Sequence, residues 1–276
     1  MKNPGTPSPI GVFDSGIGGI SVLAELIKAL PWEKFVYFAD TLHSPYGTKP
    51  EEAVRSLSLK VTEFLAGMGI KSLVVACNTA TSAAINEIRR MCPFPVIGME
   101  PAIKPAVELG SAGKILVMAT PLTLKSRKFN ELVHHYQHRA EIVPVPCVGL
   151  VEIIERNPSC SQEVEAYLSH LFSSVSAEDI SAIVLGCTHY VLIKKEIAHV
   201  VGDKITIIDG NSGTARRLRT VLQNARLLNT VNAEKSPIPV MAQVTFYISG
   251  IEREERLAQC KQLLRKEGIF CEEPVS

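Results

Sequence analysis

The sequence of 276 residues contains no apolar run approaching the ~18 residues that a membrane-spanning helix requires. Its start, "MKNPGTPSP", is polar and proline-rich and lacks the apolar stretch of a secretory signal, so a short disordered arm is expected there. An excess of one charge is missing too. Twenty-nine Lys and Arg stand against 28 Asp and Glu, without a long block of either sign. That near-neutrality speaks against nucleic acid or an anionic membrane as the main partner. The seven cysteines are an odd number and include no CxxC pair or short regular spacing. A disulfide framework and a structural zinc site are thereby both disfavoured, and reduced thiols in a cytoplasmic protein are the expectation.

What is present is a pattern of short β-rich runs alternating with helical ones. "IGVFDS", "KFVYFAD", "IKSLVVACN", "FPVIGM", "GKILVMAT", "EIVPVPC", "ISAIVLGC" and "KITIIDG" read as strands. Between several of them lie segments with apolar residues at helical spacing, such as "GISVLAELIKAL" and "PEEAVRSLSLKVTEFLAGMG". Nearly continuous apolar strands separated by amphipathic helices predict an α/β fold of mostly parallel sheets covered on both faces. The late strand "QVTFYISG" and the charged helix after it need a sheet to join. Two similar domains satisfy this. Residues 1–99 plus 212–276 would form a discontinuous first domain, and residues 100–211 an inserted second one, with the site in the cleft between them.

In open parallel sheets, ligands bind beyond the carboxyl ends of the strands. Those ends carry Asp14-Ser15, Asp40, Cys77-Asn78-Thr79, Thr120 and Cys187-Thr188-His189, a concentration of acids, hydroxyls and thiols that points to a polar ligand. Two of them share a plan. "LVVACNTAT" and "AIVLGCTHY" each end a β-branched strand with a small residue, a cysteine and hydrogen-bonding residues that could open a helix. Two thiols facing each other across a cleft suit the inversion of a carbon centre, one as thiolate base and the other as thiol acid. A helix N-terminus would favour the thiolate, and one thiolate would discourage its partner from ionising. The alternative stays open at this level. Cysteine commonly packs as a small hydrophobe, and Asn78, Thr79 and Thr188 are ordinary N-cap residues.

"GVFDSGIGGIS" partly matches a dinucleotide-binding turn, with Asp40 near the position of a ribose-binding acid. Ser21 stands where the third glycine belongs, however, and Asp14 would set a negative charge beside a pyrophosphate. Cys77, Cys187 and His189 could also be zinc ligands, but no fourth ligand is apparent.

"FDSGIGG", "ADTLHSPYG", "ACNTAT" and "GCTHY" occur in the order and approximate spacing seen in bacterial glutamate racemases, and the sequence resembles that family from Ile10 to about Gly250. The resemblance implies interconversion of L- and D-glutamate without pyridoxal phosphate, metal or other cofactor, supplying D-glutamate for peptidoglycan. It implies Cys77 and Cys187 as the two bases, Cys77 acting on D-glutamate with help from Asp14, and Cys187 on L-glutamate with help from His189. Ser15, Tyr46, Gly47, Asn78, Thr79 and Thr188 match positions that hold the substrate, as do Asp14 and His189. Glu155 matches an acid near the second cysteine, and a homodimer is the implied assembly. Two departures stand out. Val191 follows "GCTHY" where the family usually has proline, and in "IIDGNSG" the loop 209–213 differs from the shorter acid-serine pattern.

Overall fold

The computed structural model describes residues 8–156, 161–173, 175–229 and 241–271. The expected N-terminal arm lies largely outside them.

The first sheet contains β1 (Ile10–Asp14), β2 (Phe35–Ala39), β3 (Ser72–Val75) and β4 (Val96–Gly98). The second contains β5 (Lys114–Ala119), β6 (Glu141–Pro146), β7 (Ile180–Leu185) and β8 (Thr206–Asp209). Beyond these come β9 (Met241–Ala242), β10 (Val244–Ile248) and β11 (Phe270–Cys271). The strand orders are β10-β2-β1-β3-β4 and β6-β5-β7-β8, and every described pairing in both sheets is parallel. β9 and β11 pair separately as a two-stranded parallel ribbon.

The inner strands of both sheets are buried on both faces, which explains the long apolar runs. Along β1, Ile10 and Val12 enter one core while Phe13 enters the other. Along β5 and β7, Leu116, Met118, Ile183 and Leu185 face one cluster, while Ile115, Val117, Ala182 and Val184 face the opposite one. That is the two-residue period of a strand carried through a sheet covered by helices on each side. Strand β6 holds Pro144 and Pro146, and it lies at a sheet edge, where a missing N–H costs no ladder bond.

The late strand β10 joins the first sheet beside β2, and the helix Arg253–Lys266 follows it. The helix Asn211–Asn224 sends Ala215, Leu218 and Leu222 into the same core as the helix Ile20–Ala29. The chain thus leaves the second sheet at Asp209 and packs again on the first.

Four strands of each sheet repeat one order. β2-β1-β3-β4 becomes β6-β5-β7-β8 on shifting each number by four. In both, the first strand is flanked by the second and third, so the connections leave it in opposite directions and open a crevice beyond its carboxyl end. Cys77 follows β3 and Cys187 follows β7, at equivalent places in the two halves. The similarity of "LVVACNTAT" and "AIVLGCTHY" is therefore matched by equivalent topology.

Candidate active site

The carboxyl ends of β1, β3, β5 and β7 converge on one cavity. Its walls come from Ser15, Pro45, Tyr46, Gly47, Cys77, Asn78, Thr79, Thr120, Val151, Cys187, Thr188 and His189. Both cysteines line it, together with all the substrate-holding candidates apart from Asp14. The free space inside is about 10 Å³, room for roughly one water molecule.

Cys77 is the N-cap of the helix Asn78–Met91, its Sγ accepting from the Ala80 N–H at 3.4 Å. The Ser15 hydroxyl lies 3.5 Å from the same sulfur. Burial, reinforced by the negative charge of Asp14, nevertheless pushes the Cys77 thiol up to about 12, against the favourable contacts from Ser15 and Ala80. The expected depression by the helix N-terminus is outweighed. In this enclosed form Cys77 keeps its proton.

Cys187 caps only the four-residue helix Thr188–Val191 and makes no side-chain cap bond. The helix it opens is a single turn, and a polar neighbour is the His189 Nδ1, 3.9 Å from the sulfur. His189 is 2% exposed, and its Nε2 lies 2.8 Å from Glu155 Oε1. Burial works against a charged ring here. The hydrogen bonds and charges of Cys187 and Glu155 outweigh it and hold the imidazole pKa well above 6.5. Burial likewise opposes ionisation of Glu155, but His189, the Ser44 hydroxyl and Arg256 bring its carboxyl below the usual range. The pair is thus an imidazolium and a carboxylate, with the protonated ring beside Cys187.

Asp14 lies fully buried beneath the cavity. Its Oδ1 accepts from the Gly16 N–H at 2.9 Å, and its Oδ2 from the Thr188 hydroxyl at 3.0 Å. Burial raises its pKa to about 6, despite the His189 charge and these two donors. The Thr188 bond ties the second half to the end of β1, so in this form that hydroxyl serves Asp14.

Other hydroxyls are also engaged. Tyr46 donates to Asp40 at 2.6 Å, leaving its ring to line the cavity. Thr79 Oγ1 lies 3.0 Å from Thr120 and 3.3 Å from Thr123. Asn78 differs. It is 3% exposed, and neither its oxygen nor its amide nitrogen has a hydrogen-bond partner among the described residues. A buried amide left unsatisfied is costly, so a partner is expected from a ligand.

The glycines after β1 have a steric role. A Cβ on Gly16 would fall 2.0 Å from Glu155 Oε1, and one on Gly18 would fall 2.6 Å from Thr188 Oγ1. Gly47 is similarly pressed against Thr120, with a Cβ contact of 2.5 Å. The loop that partly matches a dinucleotide turn is occupied by side chains of the second half. Among the described residues, no group of three or more His, Cys, Asp or Glu side chains is arranged to hold a metal ion, so Cys77, Cys187 and His189 do not form one.

Glu155, matched only as an acid near the second cysteine, proves to be the ion-pair partner of His189. Val151 lines the cavity four residues earlier on the helix Leu150–Arg156, and that spacing in "GLVEIIE" places both on one helical face. Ser44 and Arg256 were not singled out by sequence pattern. Their contacts to Glu155 arise from segments far away in the chain. Val191 ends the short helix and packs partly buried in the second core. At the other departure, Gly210 approaches Met99 and Glu100, and the Asn211 N–H bonds Asp209 at 3.1 Å.

A model of the Asp/Glu/hydantoin racemase family matches residues 15–218. A glutamate racemase of Clostridium novyi is 50% identical over 225 residues, covering 81% of this chain and 87% of that protein. The crystal structure of the Francisella tularensis glutamate racemase in complex with D-glutamate superposes with a TM-score of 0.79 at 29% identity, covering 98% of both chains. The Escherichia coli glutamate racemase, in complex with L-glutamate and the activator UDP-MurNAc-Ala, gives the same TM-score at 27% identity, over 96% of this chain and 97% of that one. The chain belongs to the Asp/Glu/hydantoin racemase family. Within it, this is an isomerase, an amino-acid racemase.

Proposed function

We propose that the protein interconverts L- and D-glutamate through two thiols, Cys77 and Cys187, and so supplies D-glutamate for peptidoglycan. The observation that carries this reading is the pair of cysteines at equivalent strand ends, both lining one enclosed cavity. Identity of 50% to glutamate racemases supports glutamate as the substrate.

Cys77 holds a proton and is suited to donate it, so the enclosed form is poised for L-glutamate. Cys187 removes the α-proton on one face, and Cys77 delivers one to the other. The reverse reaction exchanges these roles. His189 moves or balances the proton at Cys187, and Asp14 and Ser15 act beside Cys77. The α-proton of an amino acid is far less acidic than a thiol, so charge developing on the α-carboxylate must be stabilised by donors already in place. Asn78 supports such a role, since its amide is buried, has no partner among the described residues and stands at the N-terminus of a long helix. Tyr46-Gly47, Thr79 and Thr188 complete the proposed substrate contacts. No step requires a cofactor.

Glutamate is much larger than the present free space, so the two halves must separate to admit it and close again. We assign residues 1–99 plus 212–276 to one body and 100–211 to the other. Cytoplasmic location and a homodimer complete the proposal, the latter testable by light scattering.

The deciding experiment is incubation with L-glutamate in deuterated water without added cofactor. Optical inversion with deuterium at the α-carbon is the expected result. Absence of both refutes the reading. Exchange that persisted in a Cys77→Ala, Cys187→Ala double variant would refute the two-thiol mechanism separately.

A further inference from the structure

Glu155 is gripped from both sides of the cleft. Its carboxylate pairs with His189 at 2.8 Å within the second half, and accepts from Ser44 of the first half at 2.9 Å. The guanidinium of Arg256, on the helix after β10, donates to the Glu155 backbone carbonyl at 3.2 Å. Arg256 is itself held by Gln259 at 3.2 Å and Glu252 at 3.5 Å, and its side chain is 18% exposed. The groups facing the carboxylate are thus His189, Ser44, Arg256 and, nearby, Asp14.

We infer that Ser44 and Arg256 form a latch that engages Glu155 only when the cleft is closed, coupling closure to the orientation of His189 beside Cys187. The physical reason is that their bonds to Glu155 cross between the halves, whereas the Glu155–His189–Cys187 contacts lie within one half. Opening for substrate breaks the crossing contacts and leaves the carboxylate paired with His189 alone, without its tie to the first half. Closure restores a fixed carboxylate, and through it a fixed imidazolium. Ser44 and Arg256 are positioning residues, acting through Glu155. The inference rests on the two-thiol reading above.

The test uses the full chain with Arg256→Gln, Arg256→Lys and Ser44→Ala, and Glu254→Gln, an exposed charge on the same helix, as a control. The two enantiomers have equal free energy, so kcat/KM must remain equal in both directions for every variant. The expected loss in Arg256→Gln is roughly tenfold in each, that of one hydrogen bond involving a charged group. Ser44→Ala should lose activity in the same way, Arg256→Lys should retain more than the glutamine variant, and the control should match wild type.

The diagnostic readout is the isotope effect from α-deuterated substrate. Weakening the Cys187 side makes its proton transfer more rate-limiting. The effect on kcat/KM should therefore rise with deuterated L-glutamate and fall towards unity with deuterated D-glutamate. A merely structural loosening would not move the two in opposite directions. Isotope effects unchanged in Arg256→Gln, or shifted in the same sense, would overturn the latch alone. A wild type that neither inverts nor exchanges glutamate would overturn the two-thiol reading and the latch with it.

Discussion

Asp14→Asn should make the protein more stable while removing most of its activity. Asp14 is fully buried and its carboxyl is raised from 3.8 to about 6, chiefly by desolvation. Between those two values the folded state binds more protons than the unfolded chain, so stability falls as pH rises through this window. Above about pH 6 the whole cost is present. A shift of about two units corresponds to about 3 kcal/mol, which wild type forgoes at pH 7 and recovers as pH falls towards 4. Asparagine carries no charge to desolvate. It keeps an acceptor for the Gly16 N–H, and the Thr188 hydroxyl can rotate to accept from its amide. Urea unfolding of both proteins at several pH values between 4 and 7.5 measures the difference directly. The variant should gain up to about 3 kcal/mol at pH 7, and that gain should shrink steadily on acidification. A variant less stable at pH 7, or a difference independent of pH, would refute the reasoning. The same variant should lose racemisation, because the carboxylate beside Cys77 is gone.

Gly16→Ala forces Glu155 away from His189, since the new methyl would lie 2.0 Å from the carboxylate. Losing that charged hydrogen bond should cost about 1.5–3 kcal/mol of transition-state stabilisation. Steady-state kinetics should then show kcat/KM down roughly 10- to 100-fold, and wild-type kinetics would contradict this. Gly67→Ala, in a helix where a Cβ meets nothing within 4 Å, should leave activity intact and add roughly 0.5–1 kcal/mol in thermal unfolding. Asn78→Leu removes two buried polar atoms that have no partner among the described residues. Its unfolding free energy should hold or rise while glutamate turnover collapses, and a marked loss of stability would show that the amide has a structural role.

Much of the fold could be read along the chain because its physics is local. A strand buried on both faces must be apolar at successive residues, as in "SLVV" and "ISAIVL". The ends of such strands are where polar residues stop being excluded, so Asp14, Cys77 and Cys187 were visible as candidates for the site. Their pairing was suggested by repetition, and the shared strand order is its structural basis.

The remaining decisions belong to tertiary structure. Nothing local in "SGIGG" says that Gly16 must yield to Glu155, or Gly18 to Thr188, because those neighbours come from a distant segment. The same holds for the ionisation of the site. Whether a helix N-terminus or burial governs Cys77 depends on how much water and how much of the Asp14 charge reaches the sulfur, and burial prevails. His189 goes the other way, because Cys187 and Glu155 converge on it. Sequence alone determined which groups stand at the strand ends, since hydrophobic periodicity and turn chemistry act over a few residues. Tertiary structure decided which of them hold protons and what locks them in place, since desolvation and Coulomb interactions depend on distances that only the folded chain sets.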